Sequence, residues 1–412
     1  MRASSVTLVV QKYGGTSVAD LDRIRNVAAR IKRHVTAGEK VAVVVSAMAG
    51  TTNQLVGWVH GLDAAGYDTA EYDQVVASGE QVTIGLLAIA LQTIGVPARS
   101  FLGWQAGIRT DAAYSKARIV EIDPRPVLEC LDSGKVAVVA GFQGIGPEGR
   151  VTTLGRGGSD TSAVALAAAI KAERCDIFTD VDGVYTTDPR IVARARKLER
   201  ITYEEMLEMA SVGAKVLETR SVALAMRHHV RVQVLSSFED KPGTLVVDED
   251  EVVESQIVSG IAYSRNEARI TVLRVKDRPG VAAAIFGPLA EANINVDMIV
   301  QSVSRDGVYA NQTFTVSKAD LPRALAVLEK AKDEIGYESI LADSDVVKIS
   351  VIGVGMRSHA GIAHKMFATL AAKGINIQAI STSEIKVSVL IAEEYTELAL
   401  RALHTAYGLD KD

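Results

Sequence analysis

Short β-branched runs alternate with longer helical patterns through the first 240 residues of the chain. The runs that predict strands are Val6 to Val10, Val41 to Val45, Val136 to Ala140, Ile177 to Thr179 and Val230 to Leu235. The segments that predict helices include Leu21 to Val35, Glu80 to Leu91, Thr161 to Lys171 and Tyr203 to Met209. This alternation predicts an α/β layer with a mainly parallel sheet that is buried on both faces.

A different pattern begins near residue 270 and occurs twice. A constant offset of 81 places Gly280 on Gly361, Phe286 on Phe367 and Asn295 on Asn376. Both copies predict a strand, a helix and a strand, at Ile270 to Val275, Val281 to Ala292 and Asn295 to Gln301, and at Lys348 to Ile352, Ile362 to Lys373 and Asn376 to Ser381. With a further strand and helix, each copy matches a ferredoxin-like βαββαβ unit. A paired small-molecule sensor and a purely structural, dimerising duplication both fit this pattern.

A turn and an acidic stretch separate the two patterns. The turn is Lys241-Pro242-Gly243-Thr244, and the acidic stretch runs from Asp248 to Glu254. The acidic stretch has little to bury, so we place a linker near residues 240 to 260. We expect a first domain over 1-250 and two repeats over 265-342 and 343-412.

Two glycine segments carry the candidate chemistry of the first domain. Gly14-Gly15 follow Lys12 just after the first predicted strand, and Gly155-Arg156-Gly157-Gly158 precede a predicted helix. Paired glycines let backbone N–H groups approach an anion, and a helix that follows them adds its positive end. Because each segment also has a cation and hydroxyl groups, the pattern predicts a pocket for a polyphosphate beside a second small anion.

Ordinary strand-to-helix turns are the alternative for either glycine segment taken alone. The chain contains no G-x-x-x-x-G-K-[ST] sequence, which excludes the usual P-loop, and the first segment lacks the spacing of a dinucleotide fingerprint. Lys12, Ser46, Gly141 and Asp180 all follow predicted strands. Ligands of parallel sheets bind beyond the carboxyl ends of the strands, so this placement favours a site.

Composition narrows the classes of partner. The 412 residues are 48% hydrophobic and 23% charged with a net charge of -5, so we expect no broad basic face and no nucleic acid partner. The first ten residues are too short for a signal peptide core or a membrane span, so we expect a cytoplasmic protein with no membrane partner. Cys130 and Cys175 are the two cysteines, and we expect buried free thiols. The seven histidines form no ligand-spaced cluster, so we expect no dedicated metal site.

Several motifs together resemble the aspartate kinases of the amino acid kinase family, and the match covers nearly the whole chain. The motifs are Lys12-Tyr13-Gly14-Gly15-Thr16-Ser17, Ser46-Ala47-Met48, Ser78-Gly79-Glu80, Gly155-Arg156-Gly157-Gly158-Ser159-Asp160, Thr179-Asp180-Val181-Asp182-Gly183-Val184-Tyr185-Thr186-Thr187-Asp188-Pro189-Arg190 and Gly213-Ala214-Lys215-Val216-Leu217. The two repeats resemble the tandem ACT domains of the monofunctional enzymes, with Ile380-Ser381-Thr382-Ser383-Glu384-Ile385 in the second. The resemblance implies a three-layer amino acid kinase domain followed by two ACT domains.

The resemblance also implies the reaction, which is phosphoryl transfer from ATP to the β-carboxylate of L-aspartate in the first step of lysine, threonine and methionine biosynthesis. Mg²⁺ is expected to be held mainly by the ATP phosphates. A carboxylate nucleophile is already ionised at neutral pH, so the site needs charge neutralisation and not a general base. The alternatives are a sibling kinase, such as one for acetylglutamate or glutamate, and a non-catalytic amino-acid sensor.

Site residues follow from matching the motifs position by position. Lys12 and Asp180 match the catalytic residues, with Asp180 orienting the lysine. The matched ATP contacts are Lys12, Tyr13, Gly14, Gly15, Ser46, Thr179, Asp180, Tyr185, Arg190 and Lys215. For aspartate, Arg156 suits a bidentate grip on the α-carboxylate and Glu80 suits the ammonium, although Glu80 also fits a helix N-terminal charge. The polar cage is completed by Thr52, Gly158, Ser159 and Asp160.

In the family, ACT pairs bind end-product amino acids, usually lysine with or without threonine, at interfaces that also join subunits. The matching loop positions are Asp277, Gly280, Asn295, Asp297, Gln301, Met356, His359, Gly361, Asn376, Ile377, Ser381 and Glu384. We therefore expect feedback inhibition and a homodimer or higher oligomer, while the sequence does not assign an effector to either copy. One departure from the family is Glu218-Thr219 after Leu217, where many relatives have His-Pro.

Overall fold

The computed structural model describes residues 7–63, 66–213, 216–252, 257–305 and 307–411. The chain divides into two compact units. The first comprises 1–184, 197–210 and 215–253, and the second comprises 185–196, 211–214 and 254–412. Residues 185–196 lie between two parts of the first unit in the sequence, yet they pack with the repeats.

The first unit contains twelve strands and eight α-helices among its described residues. The strands are β1 Leu8–Tyr13, β2 Lys40–Val45, β3 Ala98–Phe101, β4 Ile108–Thr110, β5 Ile119–Ile122, β6 Val136–Ala140, β7 Gln143–Ile145, β8 Val151–Thr153, β9 Arg174–Thr179, β10 Arg200–Thr202, β11 Val232–Ser236 and β12 Thr244–Val247. The helices are α1 Leu21–Thr36, α2 Thr51–Leu62, α3 Thr69–Val76, α4 Ser78–Thr93, α5 Arg125–Asp132, α6 Gly158–Ala169, α7 Tyr203–Val212 and α8 Thr219–His228, and the end of α7 extends into the second unit.

An eight-stranded sheet forms the centre of the first unit, in the order β10-β12-β11-β9-β1-β2-β6-β3. All of its pairs are parallel except β11 with β12. Helices α1 and α4 pack on one face, where Ile31, Leu87 and Leu91 are fully buried against β2 and β6. The mainly parallel α/β sheet predicted from the sequence is confirmed.

The first strand extends further than its apolar run predicts. It continues through Gln11 and Lys12 to Tyr13, because β1 lies between β2 and β9 and pairs with both along its length. Lys12 is in register with Val44 on β2 and with Ile177 on β9. The strand thereby delivers the lysine to the carboxyl edge of the sheet.

The helical stretch Thr69–Thr93 is long and apolar enough to cross a membrane by length and composition alone. It comprises α3 and α4, and half of its most apolar window is buried inside the protein. Its buried residues Ile84, Leu87 and Leu91 belong to the core beside the main sheet. This packing is that of a core helix in a globular domain.

A second sheet of four short strands, in the order β5-β4-β7-β8, flanks the main sheet's carboxyl edge through the β6–β7 connection. No pattern in the sequence predicts this sheet, because strands of three or four residues give too few alternations of apolar and polar positions. In this sheet Gln143 on β7 pairs with Thr153 on β8.

The second unit contains six strands and five α-helices among its described residues. The strands are β13 Gly260–Lys276, β14 Asp297–Val303, β15 Tyr309–Val316, β16 Ser339–Ile352, β17 Ala379–Thr382 and β18 Lys386–Ala392. The helices are α9 Val281–Glu291, α10 Leu321–Lys330, α11 Lys332–Ile335, α12 Ile362–Ala372 and α13 Thr396–Ala406. The strands form one sheet, in the order β14-β15-β13-β16-β18-β17.

The two repeats lie side by side in this sheet and are joined through β13 and β16. The long strands β13 and β16 pair antiparallel from Gly260 with Ile352 to Leu273 with Ser339. The start of β13 precedes the first repeat in sequence, but its Ile261 lies in the core of the second repeat together with Val351 of β16. The second repeat is thus completed by a strand segment that lies outside its own predicted boundaries.

Candidate functional site

The first glycine segment lies at the carboxyl edge of the main sheet. The Lys12 ammonium is nearly buried and lies 2.6 Å from a carboxylate oxygen of Asp160. It also lies beside Gly14, where an added Cβ would be 3.4 Å from the Lys12 Nζ. A Cβ at Gly15 would lie 2.9 Å from the Ala47 carbonyl oxygen, so both glycines keep the backbone close to its surroundings. The N–H of Gly14 faces the Phe178 carbonyl at 3.4 Å.

The second glycine segment begins helix α6. Gly155 and Gly157 have φ values of +75° and +68°, which favour glycine. The helix starts at Gly158, and Ser159 and Asp160 lie buried in its first turn. A Cβ at Gly141 would lie 2.8 Å from the Ser159 hydroxyl, so the end of β6 and the start of α6 are in close contact. The positive end of a twelve-residue helix therefore lies next to the Lys12 ammonium.

Glu80 is a buried carboxylate with one unsatisfied oxygen. It lies in the first turn of α4 and is 2% exposed, which rules out a solvated helix charge. Its Oε1 accepts the Ala47 N–H at 2.9 Å, while its Oε2 is buried without a hydrogen-bond partner in the described part of the chain. Burial raises the pKa of Glu80 to about 7, although the Ala47 hydrogen bond opposes the shift. Such an oxygen suits a cationic ligand group.

Gly79 allows α4 to pack closely against the turn at Ala47. A Cβ at Gly79 would lie 2.8 Å from the Ala47 Cβ, whereas a Cβ at Gly85 on the same helix would meet nothing within 4 Å. We expect Gly79→Ala to displace Glu80 and raise the KM for the ligand that Glu80 binds about tenfold, and Gly85→Ala to leave this KM unchanged. Gly85→Ala should also raise Tm, since alanine in a helix interior is favoured over glycine by roughly 0.5–1 kcal/mol. Equal KM values in the two variants would contradict this role of Gly79.

The partner of Lys12 differs from the prediction. The lysine is ion-paired with Asp160, whereas Asp180 is exposed and accepts the Thr179 hydroxyl at 3.2 Å. The physical reason is that α6 packs on β1 and brings its first turn to the lysine, while Asp180 lies beyond the end of β9. Asp160 therefore combines a predicted place in the polar cage with the orienting role expected of Asp180.

Three of the residues predicted to bind ATP are not among the described residues of the first unit. Lys215 is outside the described residues. Tyr185 and Arg190 belong to the segment that packs with the second unit. There the Arg190 guanidinium binds Asp188, which also accepts the Tyr263 hydroxyl at 3.1 Å.

The remaining predicted residues of the first unit surround the same edge. Ser46 follows β2, and its N–H donates to the Tyr13 carbonyl at 3.1 Å. Thr52 lies in the first turn of α2. The Arg156 side chain is exposed and makes no ion pair with any residue that the structure describes. Its guanidinium is therefore available to a ligand.

The predicted effector residues lie before α9 and α12 and on or beside β14 and β17, at matching places in the two repeats. Gly280 and Gly361 both have φ of +93° and precede α9 and α12. Asp277 accepts a bond from Gln301 at 3.4 Å, and Glu384 lies 3.5 Å from Arg357. Asn295, Met356, His359, Asn376 and Ile377 lie outside the α-helices and strands, while Asp297 begins β14 and Ser381 lies on β17.

Asp297 has a partner in the other repeat. Its Oδ2 lies 2.8 Å from the buried ammonium of Lys348 on β16, which also contacts Glu267 at 2.8 Å. Burial alone would raise the pKa of Asp297, but the bond to Lys348 outweighs burial and holds the pKa below its usual value. Strand β14 of the first repeat is therefore joined to the second repeat by a charge pair.

Comparison with known proteins identifies the family. Residues 7–236 match the model of the amino acid kinase family, and residues 269–335 and 349–407 match models of the ACT domain. An aspartate kinase of Pseudomonas putida is 54% identical over 411 residues, which cover 98% of each chain. The chain belongs to the aspartate kinase family. It is accordingly a kinase with two ACT domains, as its motifs predict.

Solved structures agree with this assignment of the kinase. E. coli aspartokinase III in complex with aspartate and ADP, in the R-state, matches with a TM-score of 0.79 and 29% identity over 97% of this chain and 99% of that one. The same enzyme in complex with lysine and aspartate, in the T-state, matches with a TM-score of 0.76 at the same identity and coverage.

Two buried polar residues near the kinase site were missed by sequence reasoning. Asp73 on α3 and Gln143 on β7 are 0% and 3% exposed. Asp73 occupies a helix that looks amphipathic in sequence, and Gln143 lies on a strand too short to predict. A strained residue was missed as well, since Phe142 has φ of +67° directly after Gly141. No pattern in the sequence marks these three residues.

Proposed function

We propose that this kinase transfers the γ-phosphoryl group of ATP to the β-carboxylate of L-aspartate and forms 4-phospho-L-aspartate. The observation that carries the proposal is the unpaired, buried Glu80 oxygen beside the Ala47 turn that also packs on Gly15. An amino-acid ammonium suits this oxygen. The complex of E. coli aspartokinase III with aspartate and ADP supports the same pair of ligands.

The residues around the site supply charge and position. An aspartate carboxylate, with an ordinary pKa near 3.9, needs no base, so catalysis depends on holding two anions together and stabilising the transferring group. Lys12 and the N-terminus of α6 provide positive charge where that group would lie. Arg156 suits the α-carboxylate as a bidentate donor, and Asp160 fixes Lys12.

ATP is proposed to bring Mg²⁺ on its phosphates. The described residues contain no group of three or more His, Cys, Asp or Glu side chains that could hold a metal ion. The hydroxyl groups of Ser46 and Thr179 and the glycine segments fit the nucleotide side. With bound ATP, Mg²⁺ would neutralise charge on the phosphates.

The direct test is a hydroxamate assay, since hydroxylamine traps acyl phosphates. Purified enzyme is incubated with MgATP and, in separate reactions, with aspartate, glutamate, acetylglutamate or no acceptor. We expect hydroxamate from aspartate far above that from the others. A preference for glutamate or acetylglutamate would assign a sibling reaction, and ADP formation without any hydroxamate would contradict a carboxyl acceptor.

We further propose that lysine, threonine or both inhibit the enzyme by binding at the ACT domains. The lysine complex of E. coli aspartokinase III supports this, as does the joining of the two repeats through Asp297 and Lys348. The coupling free energy between such sites is typically about 1–3 kcal/mol. The reaction would then stand first in lysine, threonine and methionine biosynthesis.

Changes in the effector loops should separate inhibition from catalysis. We expect Asp277→Asn or Ser381→Ala to weaken inhibition by about tenfold, because the first removes the negative charge of Asp277 and the second removes the hydroxyl of Ser381, while turnover without effector stays within twofold of wild type. Dose–response curves with lysine and threonine, singly and together, measure this. Inhibition that is unchanged in both variants would locate the effector elsewhere, and an enzyme insensitive to both amino acids would make the repeats structural.

We also propose a cytoplasmic homodimer or higher oligomer that forms through the ACT domains. Strand β14 is an edge strand with Ile299 53% and Val303 52% exposed, a surface that favours pairing with a second copy. Cys130 and Cys175 are both free and buried, as predicted, which fits a reducing compartment.

A further inference from the structure

Asp73 is fully buried and links three segments of the chain near the substrate pocket by hydrogen bonds. Its two carboxylate oxygens accept four hydrogen bonds from residues far away in sequence. The Ser115 N–H donates to both oxygens at 2.9 and 3.0 Å, and Thr153 donates from its N–H at 2.8 Å and from its hydroxyl at 2.5 Å. None of these groups belongs to the catalytic machinery described above.

The two partners of Asp73 flank the turn that carries Arg156. Thr153 ends strand β8, three residues before Arg156. Ser115 has φ of +66°, and its carbonyl oxygen would lie 3.2 Å from a Cβ at Gly155. Asp73 therefore holds both the strand that enters the Arg156 turn and the neighbouring loop on which that turn packs.

A hydrogen bond from Gln143 connects the same two parts of the chain as the bonds of Asp73 do. The Gln143 amide donates to the Ala77 carbonyl at 2.8 Å, and Ala77 lies one helical turn after Asp73 and three residues before Glu80. Gln143 is the cross-strand partner of Thr153 in the β7–β8 pair. Asp73 and Ala77, one helical turn apart on the way to Glu80, thus bond to Thr153 and Gln143. Thr153 and Gln143 face each other in the β7–β8 hairpin that precedes Arg156.

We propose that Asp73 and Gln143 are positioning residues that hold Glu80 and Arg156 in place relative to each other, so that the α-carbon of the amino-acid substrate is fixed and only a side chain of one length reaches Lys12. This rests on the proposed function, in which Glu80 binds the ammonium and Arg156 the α-carboxylate. A substrate with one more methylene, glutamate, presents its side-chain carboxylate at a different distance from Lys12. One methylene changes selectivity by about 10–200-fold where a pocket holds its substrate rigidly.

The test uses the full-length enzyme in the hydroxamate assay, with KM and kcat measured for aspartate, glutamate and ATP. We expect Asp73→Asn to raise the aspartate KM about tenfold, because an amide cannot accept all four hydrogen bonds, and to lower the aspartate-to-glutamate ratio of kcat/KM by a similar factor. The ATP KM should stay within twofold. Gln143→Met, which removes the donor to Ala77 at similar volume, should act in the same direction.

Matched controls separate positioning from loss of folding. Thr153→Ser keeps the hydroxyl donor and should preserve selectivity. Thr153→Val lacks the hydroxyl and should lose selectivity. Asp111→Asn makes the same change in the same loop as Ser115, at a residue that accepts the N–H groups of Ala113 and Arg118, and should leave every KM within twofold. All assays are run well below the measured Tm of each variant.

Two results would overturn the proposal. One is a lowered Tm with unchanged selectivity in both Asp73→Asn and Gln143→Met, which would make these bonds purely structural. The other is an equal rise in the KM for aspartate and for ATP. Failure of the proposed function has a different signature, because the wild-type enzyme would then give no hydroxamate with aspartate.

Discussion

Replacing Lys12 with methionine is expected to lower kcat by about a hundredfold or more, while the aspartate KM changes less than threefold. The ammonium is held beside Gly14 by Asp160 at 2.6 Å and is positioned to stabilise charge that develops during transfer. An interaction made mainly in the transition state affects kcat and kcat/KM together and leaves substrate binding nearly intact. Steady-state kinetics with MgATP and aspartate measure both constants.

The control for this change is Lys40→Met, which removes a lysine from the neighbouring strand. Lys40 pairs with Asp132 at 2.7 Å on the surface and has no place in the site. We expect this variant to keep wild-type kinetics. A Lys12→Met enzyme that turns over at more than a tenth of the wild-type rate would remove Lys12 from the catalytic step.

The second large effect concerns Glu80 and pH. The pKa of Glu80 is raised to about 7 by burial, so below that pH the free enzyme holds a neutral carboxyl that cannot pair with an ammonium. We expect kcat/KM for aspartate to fall about tenfold per pH unit below about 7. Glu80→Gln should remove this dependence and lower kcat/KM for aspartate roughly a hundredfold at pH 8, since one substrate charge is left unpaired.

Glu80→Gln should raise the stability of the free enzyme at pH 8, although it lowers kcat/KM for aspartate. A carboxyl whose folded pKa lies above its unfolded value favours the folded state when protonated, so the free energy of unfolding falls as pH rises from about 4.5 to about 7. The neutral amide escapes this loss. We therefore expect Glu80→Gln without substrate to melt higher than wild type at pH 8, by a few degrees.

Glu129→Gln is the control for both measurements, because Glu129 is exposed on α5 and should affect neither the pH profile nor Tm. Wild type and variants are compared by kinetics from pH 5.5 to 8.5 and by thermal melts over the same range. An unchanged profile in Glu80→Gln would assign the ionisation to another group. A lower Tm at pH 8 would show that the buried charge has a partner in solution.

The sequence predicted the residues whose chemistry is local. Lys12 and the glycine pairs stand out in their own segments, because a turn or a helix start needs certain residues wherever the chain goes next. The role predicted for Glu80 came from the family resemblance, since its own segment fits a helix N-terminal charge equally well. The alternation of strands and helices likewise predicted the parallel sheet, since both periods are read over a few residues.

What the sequence did not predict depends on contacts between distant segments. The pairing of Lys12 with Asp160 rather than Asp180 follows from how α6 packs on β1, and no spacing in the chain encodes it. Asp73 resembles a solvent-facing helix residue until Thr153 and Ser115 are brought to it. The first half of β13 gave no signal of its own because its partners lie about 90 residues further along.

The pairing of β13 with β16 constrains the order in which the protein folds during synthesis. Ile261 leaves the ribosome long before Val351, the residue with which it pairs, and before Leu400 and Leu403 of the same core. At about 5–20 residues per second, that segment waits several seconds with apolar groups exposed. The kinase core has a longer dependence of the same kind, because β1 pairs with β2 within 40 residues but with β9 only about 165 residues later, as Val9 with Arg174. Late closure, in the repeats as in the kinase core, is thus a property of the topology.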